Sequence, residues 1–568
     1  MRINVARFAS FLVAVPVMLA ACAPTRSIAP ADSAGAPATS GPKNIVVINS
    51  GNPPGMDNRF VITTNNAAGI VLLLYAGTLI VNDNTGAFMP RLAEAVPSVD
   101  NGMWKLNPDN TMETRLTLRQ GARWHDGTPL TTKDFLFNDE VFLDKSIPQT
   151  FVNQRNYNVV RAYIDRMEAA DDRTLVIHWN RPYFLANIFS PEMMPAHVLE
   201  ETFRQNPQNV TTHPWLTTEY VGAGPFKLKE FVPGSYMDLM AFDGYPLGRP
   251  RIDQVQVKFI PDGGTMLANI LSGAGDLATG TGPNVTQAQE LKTLSWEGQV
   301  SATVGATYLH LFAQYIDPVH PVITDKRFHK ALMYALDRQE LVDVMQSGYG
   351  GISHIPWSTA DPDYNDIVAK IEKYPFDVSR AAAMFQSVGY AKGPDGYLRS
   401  TTTGQRLDPI EFRTTGEQVY QVRMLAAMSD YFKNVGLDIN QVVVPQERTA
   451  DRVYRVTNPG LEELQFGYGP STLVNFMHSS LLPTPANGYA QGNYPRYTNA
   501  QWDALLERYA VTIAPAERKQ VLTDIMVHLS DELPDMSIIY GVSVQFAARR
   551  LVVPEVNPMW TAESWDLK

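Results

Sequence analysis

Cysteine is nearly missing from this chain: Cys22 is the only one in 568 residues. Disulfides within the molecule are therefore impossible, and stability has to come from burial. Charge is also sparse, at 18% of residues, and it leans acidic, with 47 basic against 58 acidic side chains and a net charge of -11. That balance disfavours nucleic acid and anionic lipid as partners. No stretch of about 18 apolar residues follows the first few turns of sequence, so no transmembrane helix is expected. Catalytic signatures are lacking too: there is no G-x-S-x-G elbow, no H-E-x-x-H zinc helix and no Gly-Lys-Ser/Thr phosphate loop. The run Gly273-Ala-Gly275-Asp-Leu-Ala278 matches G-x-G-x-x-A in form, but the helix-like M-L-A-N-I-L precedes it where a dinucleotide site needs a strand. It reads as a helix stop leading into a strand. His125-Asp126 has the residue types of a base and its orienting acid, yet its place beside Gly127 reads as a structural turn. His310, His320 and His329 are spaced too irregularly for a metal motif on one element, so neither metal nor cofactor is expected.

What is present begins with the amino terminus. Met1–Ser10 carries Arg2 and Arg7 without an acid, and Phe11–Ala20 is an apolar run of about ten residues, the length of a signal-peptide core and half that of a membrane span. Leu19-Ala20-Ala21-Cys22 then sets small residues before the thiol, which resembles a bacterial lipoprotein box. The resemblance implies cleavage after residue 21, lipidation of Cys22 and attachment to a membrane by acyl chains, two or more of which hold stably where one is marginal. Residues 22–42 are rich in Ala, Pro, Ser and Gly and read as a flexible tether. Loss of Arg2 and Arg7 takes the mature net charge to about -13.

The body exceeds what one hydrophobic core supports, so two or three domains are expected. Lys43–Ser50 is a short apolar run that predicts a buried strand, ended by the loop G-N-P-P-G-M-D. Thr114–Arg119 alternates as a half-exposed strand, and Thr131 with Asp134 predicts a capping box opening a helix. Helical spacing follows Thr324, and Asp337 with Glu340 predicts a second helix that Gly348 stops. Further helices are expected at Ala500–Ala510 and Pro515–Leu533, the latter with proline in its first turn, and strands at Leu175–Trp179, Asp253–Ile260 and Ser537–Phe546. This mixture, without a regular repeat, predicts an α/β or α+β fold with several lobes.

Several stretches, in order, resemble the family 5 extracellular solute-binding proteins, the dipeptide, oligopeptide and nickel receptors of bacterial ABC importers. They are L-Y-A-G-T-L-I-V-N-D-N-T-G-A-F-M-P-R-L-A-E (Leu74–Glu94), L-R-Q-G-A-R-W-H-D-G-T-P-L-T-T-K-D-F (Leu118–Phe135), V-G-A-G-P-F-K-L-K-E-F-V-P-G (Val221–Gly234), S-G-A-G-D-L (Ser272–Leu277), K-A-L-M-Y-A-L-D-R-Q-E-L-V (Lys330–Val342) and F-D-V-S-R-A-A-A-M-F-Q-S-V-G-Y (Phe376–Tyr390). The second is the most specific. The resemblance implies an α/β periplasmic-binding-protein-like fold of three lobes, two of which close over a ligand about a two-strand hinge. Lobe I would comprise 43–80, 206–302 and 531–568, lobe II 81–205, and lobe III 303–530, with crossings near Val304–Tyr315 and Leu533–Tyr540.

It further implies a monomeric, non-enzymatic receptor outside the cytoplasmic membrane, held there by its lipid alone, that binds a peptide or other small solute and delivers it to ABC permease subunits. By position, ligand-facing residues would be Asn52 and Met56 from the loop Ser50–Asp57, Phe466, Tyr468 and Asn475 from Leu464–Asn475, and Tyr540. The oligopeptide receptors carry an aspartate in the second stretch that neutralises a peptide's α-ammonium. No acid lies between Leu464 and Asn475 here, so sugars, opines or a nickel chelate stay open as ligands, the last kept in view by His478. An exported hydrolase using the same cleft is a further alternative.

Overall fold

Ile45, Val47 and Ile48 are apolar on both faces of an extended run, which suits a strand with neighbours on each side and layers above and below. In the computed structural model they form the strand Asn44–Asn49, and all three are buried. The structure describes residues 41–568 apart from 54, 58–71, 83–87, 148–159, 190–192, 281, 416–418, 449–450, 468, 476, 490–491 and 555–557. The signal peptide, Cys22 and all but the last two residues of the tether lie outside the described residues, as does Tyr468.

Asn44–Asn49 is β1 of a ten-stranded sheet. Numbered in chain order, the others are β2 Phe226–Val232, β3 Tyr236–Ala241, β4 Gln254–Phe259, β5 Leu277–Thr279, β6 Gln299–Ala313, β7 Ile410–Thr415, β8 Ile439–Val444, β9 Leu461–Phe466 and β10 Met536–Ala547. Their spatial order is β8-β7-β9-β6-β10-β5-β1-β4-β3-β2. β1 is parallel to β4 and β5, and β7 is parallel to β8 and β9, whereas β6 pairs antiparallel with both β9 and β10. Two parallel blocks are thus joined by the long antiparallel pair at the centre. A separate four-stranded antiparallel sheet runs Trp104–Leu106, Met112–Thr117, Thr174–Trp179, Ile164–Ala169.

The expected elements are found close to their expected ends. Thr131 and Asp134 form a capping box on the helix Thr132–Leu143. Asp134 also accepts from the Ala196 amide at 3.0 Å, so the acid that starts one helix anchors the start of the next, Ala196–Gln205. The helix Gly263–Leu271 stops before Gly273, at φ +74°, and β5 follows, as the sequence pattern predicts for a helix end rather than a dinucleotide loop. Pro515 opens the helix Pro515–Glu532, where its missing amide costs nothing.

The stretch around His125 is a clasp. Trp124 donates to Thr128 O at 2.8 Å across a turn containing Gly127 at φ +93°. The His125 amide donates to Gly222 O at 2.8 Å, and the ring Nδ1 accepts from the Gly222 amide at 3.3 Å. Nδ1 being an acceptor, the proton sits on Nε2, which donates to Gly224 O at 3.0 Å. Burial lowers the His125 pKa to about 4, so the ring is neutral. Gly222 and Gly224 must be glycine, because a Cβ at either would stand 2.1 Å from Tyr75 O or 2.6 Å from Tyr75 C. The histidine is a structural strut between residues 121–128 and 222–224.

Two large apolar clusters cut across the sequence. One joins β1–β4 to the helices Thr132–Leu143 and Ala196–Gln205 through Phe137, Val141, Leu199 and Phe203. The other runs from the four-stranded sheet, with Trp104 and Trp179, into the helices Ala500–Val511 and Pro515–Glu532. A third fills the block around β7–β9 with Leu309, Phe328, Phe412 and Met428. Among the described residues no helix is long and apolar enough to cross a membrane.

Candidate functional site

β6 and β10 pair along nearly their whole length, from Gln299 opposite Ala547 to Leu311 opposite Met536. Their outer neighbours belong to different blocks: the end of β10, at Phe546 and Ala547, pairs with β5, while the second half of β6, from Tyr308 to Ala313, pairs with β9. The ladder is irregular between Val304 and Tyr308, where Gly305 has φ +90°. At the same level Gln465 Nε2 donates to Thr307 Oγ1 at 3.1 Å, and Gly541 passes so close that a Cβ there would lie 2.0 Å from that hydroxyl. The pairing is interrupted where the two blocks meet, which is where a bulge re-aims the strands.

Tyr540, a candidate ligand residue, lies beside this interruption and is 3% exposed. Its ring is 5.4 Å from Tyr308, and its hydroxyl hydrogen-bonds the Tyr364 hydroxyl at 2.5 Å. Burial first, then the neighbouring phenol, raises its pKa, so it stays a neutral donor. Its backbone is pinned as well, with the Tyr540 amide on Gly351 O at 2.9 Å and Gln346 Nε2 on Tyr540 O at 2.7 Å. Phe466, the second candidate, is half-buried and stacks on His310 with ring centroids 4.1 Å apart. His310 faces Asp535 through Nδ1 at 2.9 Å, both side chains being fully buried, and Phe312 stacks beyond it at 5.6 Å. The sequence therefore brings Phe466 and Tyr540 to one aromatic layer over the strand crossing.

The remaining candidates are spread more widely. Asn52 is exposed and accepts from the Gly234 amide at 3.0 Å, closing the loop after β1 onto the β2–β3 turn. Met56 is fully buried, packs with Trp215 and Leu216, and donates its amide to Leu216 O at 2.8 Å, so its side chain fills the core beneath that loop. Asn475 ends the helix Pro470–Asn475.

That helix borders a cavity of about 570 Å³, within the size range of small-molecule sites. Tyr163 and Arg181, flanking the four-stranded sheet, form one wall; Val474, His478, Leu481 and Glu507 contribute to the other. The walls meet at Phe184, whose amide donates to Ala510 O at 2.9 Å and whose ring lies 4.7 Å from Tyr509. Arg181 lies over the Tyr163 ring at 4.2 Å. His478 Nδ1 accepts from the Ser480 amide at 3.1 Å, leaving Nε2 toward Glu507 at 3.5 Å. No group of three His, Cys, Asp or Glu able to hold a metal occurs among the described residues.

Sequence reasoning passed over two features here. The wall carrying Tyr163 and Arg181 comes from a segment far from Leu464–Asn475 in the chain, and nothing local marks it. Glu463, one residue before that stretch, is fully buried, with its pKa pushed up to about 8 by burial and, among the described residues, a Thr414 hydroxyl alone donating to it. The adjacent acids Glu462-Glu463 between Leu461 and Leu464 in a strand were the available signal.

A model of the bacterial extracellular solute-binding proteins, family 5 Middle, matches residues 87–488. The oligopeptide-binding protein AppA of Bacillus subtilis is 23% identical over 511 residues, covering 88% of this chain and 86% of its own. Its structure in complex with a nonapeptide superposes with a TM-score of 0.74 at 20% identity, covering 93% of this chain and 99% of that one. Heme-binding protein A of Haemophilus influenzae is 25% identical over 472 residues, covering 80% and 79% of the two chains. NikZ from Campylobacter jejuni, solved in complex with Ni(L-His), superposes with a TM-score of 0.75 at 18% identity, covering 92% and 99%. The fold is the multi-lobed α/β architecture of periplasmic binding proteins.

Proposed function

The chain belongs to the bacterial extracellular solute-binding proteins of family 5, and from that premise we propose that it is the receptor subunit of an ABC importer, capturing peptides outside the cytoplasmic membrane and delivering them to the permease. The observation that carries the reading is the strand crossing: one antiparallel pair, β6–β10, links two blocks of a sheet through an irregular, glycine-bearing segment. Such a connection lets two bodies close on a solute and open again, and a ligand bound between them is released only by reopening. The bodies in this reading are lobe I, 43–80 with 206–302 and 531–568, and lobe III, 303–530, with lobe II at 81–205. In this reading Phe466 and Tyr540, in the aromatic layer at the crossing, meet the solute on one side and Asn52, on the loop after β1, on the other, Tyr540 becoming accessible as the bodies open. Binding to a peptide backbone by strand-like hydrogen bonds, with side chains in roomy pockets, gives the broad acceptance that nutrient capture requires.

Cys22 carries the lipid in this reading, and the acidic mature chain works next to the membrane without binding its surface. The test has two arms. Native mass spectrometry of protein from its own cells, followed by thermal melts with dipeptides, oligopeptides, heme and nickel-histidine, reads the solute class, because a ligand of the native state raises stability with its concentration. Peptides raising the melting temperature support the reading; a shift with heme or nickel-histidine alone replaces peptide by that solute, and no shift with any class refutes a receptor for these solutes. Cys22→Ser should move the protein from the membrane fraction to the soluble one; equal partition of the two forms refutes the anchor.

A further inference from the structure

We propose that the cavity between the Tyr163–Arg181 wall and the His478–Glu507 wall is the subsite that selects solutes with a free carboxylate, Arg181 taking the carboxylate and Glu507 a cationic group of the same molecule. This rests on the receptor reading and names the chemistry of its ligand. Arginines near this cavity are otherwise engaged: Arg161 pairs with Asp139 at 3.0 Å, Arg508 with Glu517 at 3.5 Å, and Arg518 donates to Ile513 O at 2.8 Å. Arg181 is exposed, lines the cavity, and has no ion pair or hydrogen bond among the described residues. Its one fixed contact is the face of Tyr163, at 4.2 Å. A guanidinium held over an aromatic face by this cation–π contact keeps its edge N–H groups available, and those groups can take a carboxylate through two parallel hydrogen bonds.

Across the cavity Glu507 is 70% exposed and its partner is His478 Nε2 at 3.5 Å. Arg181 and Glu507 both line the space yet form no ion pair with each other. One wall therefore offers a cation unpaired among the described residues; the other offers the Glu507 carboxylate, its Arg508 being paired with Glu517, and both Arg181 and Glu507 act on the Tyr163 hydroxyl. A short peptide with both termini free satisfies the two walls together; a neutral sugar satisfies neither. This also supplies an acid for a ligand's ammonium group in a chain that has none between Leu464 and Asn475.

The experiment is equilibrium dialysis of the mature protein against a pool of Ala-Xaa-Ala tripeptides, once as free acids, once as carboxy-terminal amides and once with acetylated amino termini, with retained peptides read by mass spectrometry. Loss of a charge-assisted hydrogen-bond pair predicts about tenfold or greater preference of the wild type for the free acids. Arg181→Gln should retain acids and amides alike, Arg181→Lys should keep part of the preference, and Glu507→Gln should lower the preference for free over acetylated amino termini. Arg181 being exposed, thermal melts of its variants should match the wild type. Equal retention of acids and amides by the wild type, or an undiminished preference in Arg181→Gln, overturns this inference while leaving a peptide receptor standing. Retention of neither pool by the wild type overturns both.

Discussion

Glu463→Gln should reverse its effect on stability between about pH 5 and about pH 8.5. Glu463 lies on β9 in the middle of the sheet with no exposed surface. Thr414 Oγ1 donates to one carboxyl oxygen and the other has no hydrogen bond among the described residues. Burial raises the pKa from 4.5 to about 8, Thr414 works weakly against it, and the charge of Glu462 adds to it. The sign follows directly. Between the two pKa values the folded protein holds a proton that the unfolded chain has released, so stability is complete below about 4.5, falls as pH rises, and levels off above about 8. Each pH unit in that window is worth about 1.4 kcal/mol, giving a ceiling of about 5 kcal/mol across it. Glutamine has no proton to lose, but it places an unpartnered amide where the second oxygen sat, at about 1–3 kcal/mol. The variant should therefore be less stable than the wild type near pH 5 and more stable near pH 8.5, the difference moving by about 3–4 kcal/mol. Urea unfolding of both proteins at the two pH values, followed by tryptophan fluorescence, measures it. A wild-type-minus-variant difference that stays constant within about 0.5 kcal/mol refutes the buried neutral acid.

His125 carries the opposite sign. Its pKa falls from 6.5 to about 4 on folding, so its contribution is present above about 6.5 and is lost as pH falls, by at most about 1.4 kcal/mol per unit and less because the ring keeps some exposure. His125→Ala should cost about 2–3 kcal/mol at neutral pH through the two stranded backbone partners, and urea midpoints should show that cost shrinking toward pH 4.5; a cost independent of pH would count against the neutral strut. At the crossing, Gly541→Ala should destabilise by about 1–3 kcal/mol, since the new methyl meets Thr307 Oγ1 and breaks its bond from Gln465. In a Thr307→Ala background most of that cost should vanish, and a double-mutant cycle in which the two costs simply add would show that the contact is not the cause.

Much of the scaffold was legible because its signals are local. The apolar run Lys43–Ser50 became Asn44–Asn49, and the Thr131–Asp134 pair became a capping box. Pro515 marked a helix start to the residue. Each of these depends on a few neighbouring side chains and the backbone geometry they permit. Where the candidate residues sit in the fold was legible only in part. Position in the chain brought Phe466 and Tyr540 to one layer, because strand order fixes both residues on the central pair and its neighbour. It could not orient Met56: an apolar side chain in a loop gains more from the core beneath than from a wet cleft, and Trp215 and Leu216 supply that core. Nor could it assemble the cavity, whose walls come from separate sheets and helices and meet through Phe184 and Tyr509. Glu462 and Glu463 point to opposite faces of β9, and both faces are covered, so the acid pair implied one awkward burial that no local rule resolves.

The central strand pair is irregular at two places, Val304–Tyr308 and Leu309–His310. On the β7–β9 side it is fastened by stacked rings, Phe312, His310 and Phe466, and by Gln346, which ties the C-terminal end of the helix Arg338–Met345 to Tyr540 O. On the β5 side the ladder is continuous from Gln299 to Val304 against Val542 to Ala547. Between these two stiff halves lie Gly305 to Thr307, where ladder pairs are missing and glycine carries a positive φ. If the blocks rotate as the receptor reading requires, Gly305 to Thr307 and the second register shift at Leu309–His310 are the segments free of a regular ladder, with Gly541 passing Thr307 too closely for any larger side chain. Tyr540 is the first side chain beyond that point and its hydroxyl is held by Tyr364, so closure would carry the phenol with the β7–β9 block as a fixed surface while the loop bearing Asn52 moves with the other. On the receptor reading, selectivity would belong to groups fixed on their own wall, such as Arg181 over Tyr163, and capture to the irregular strand segment.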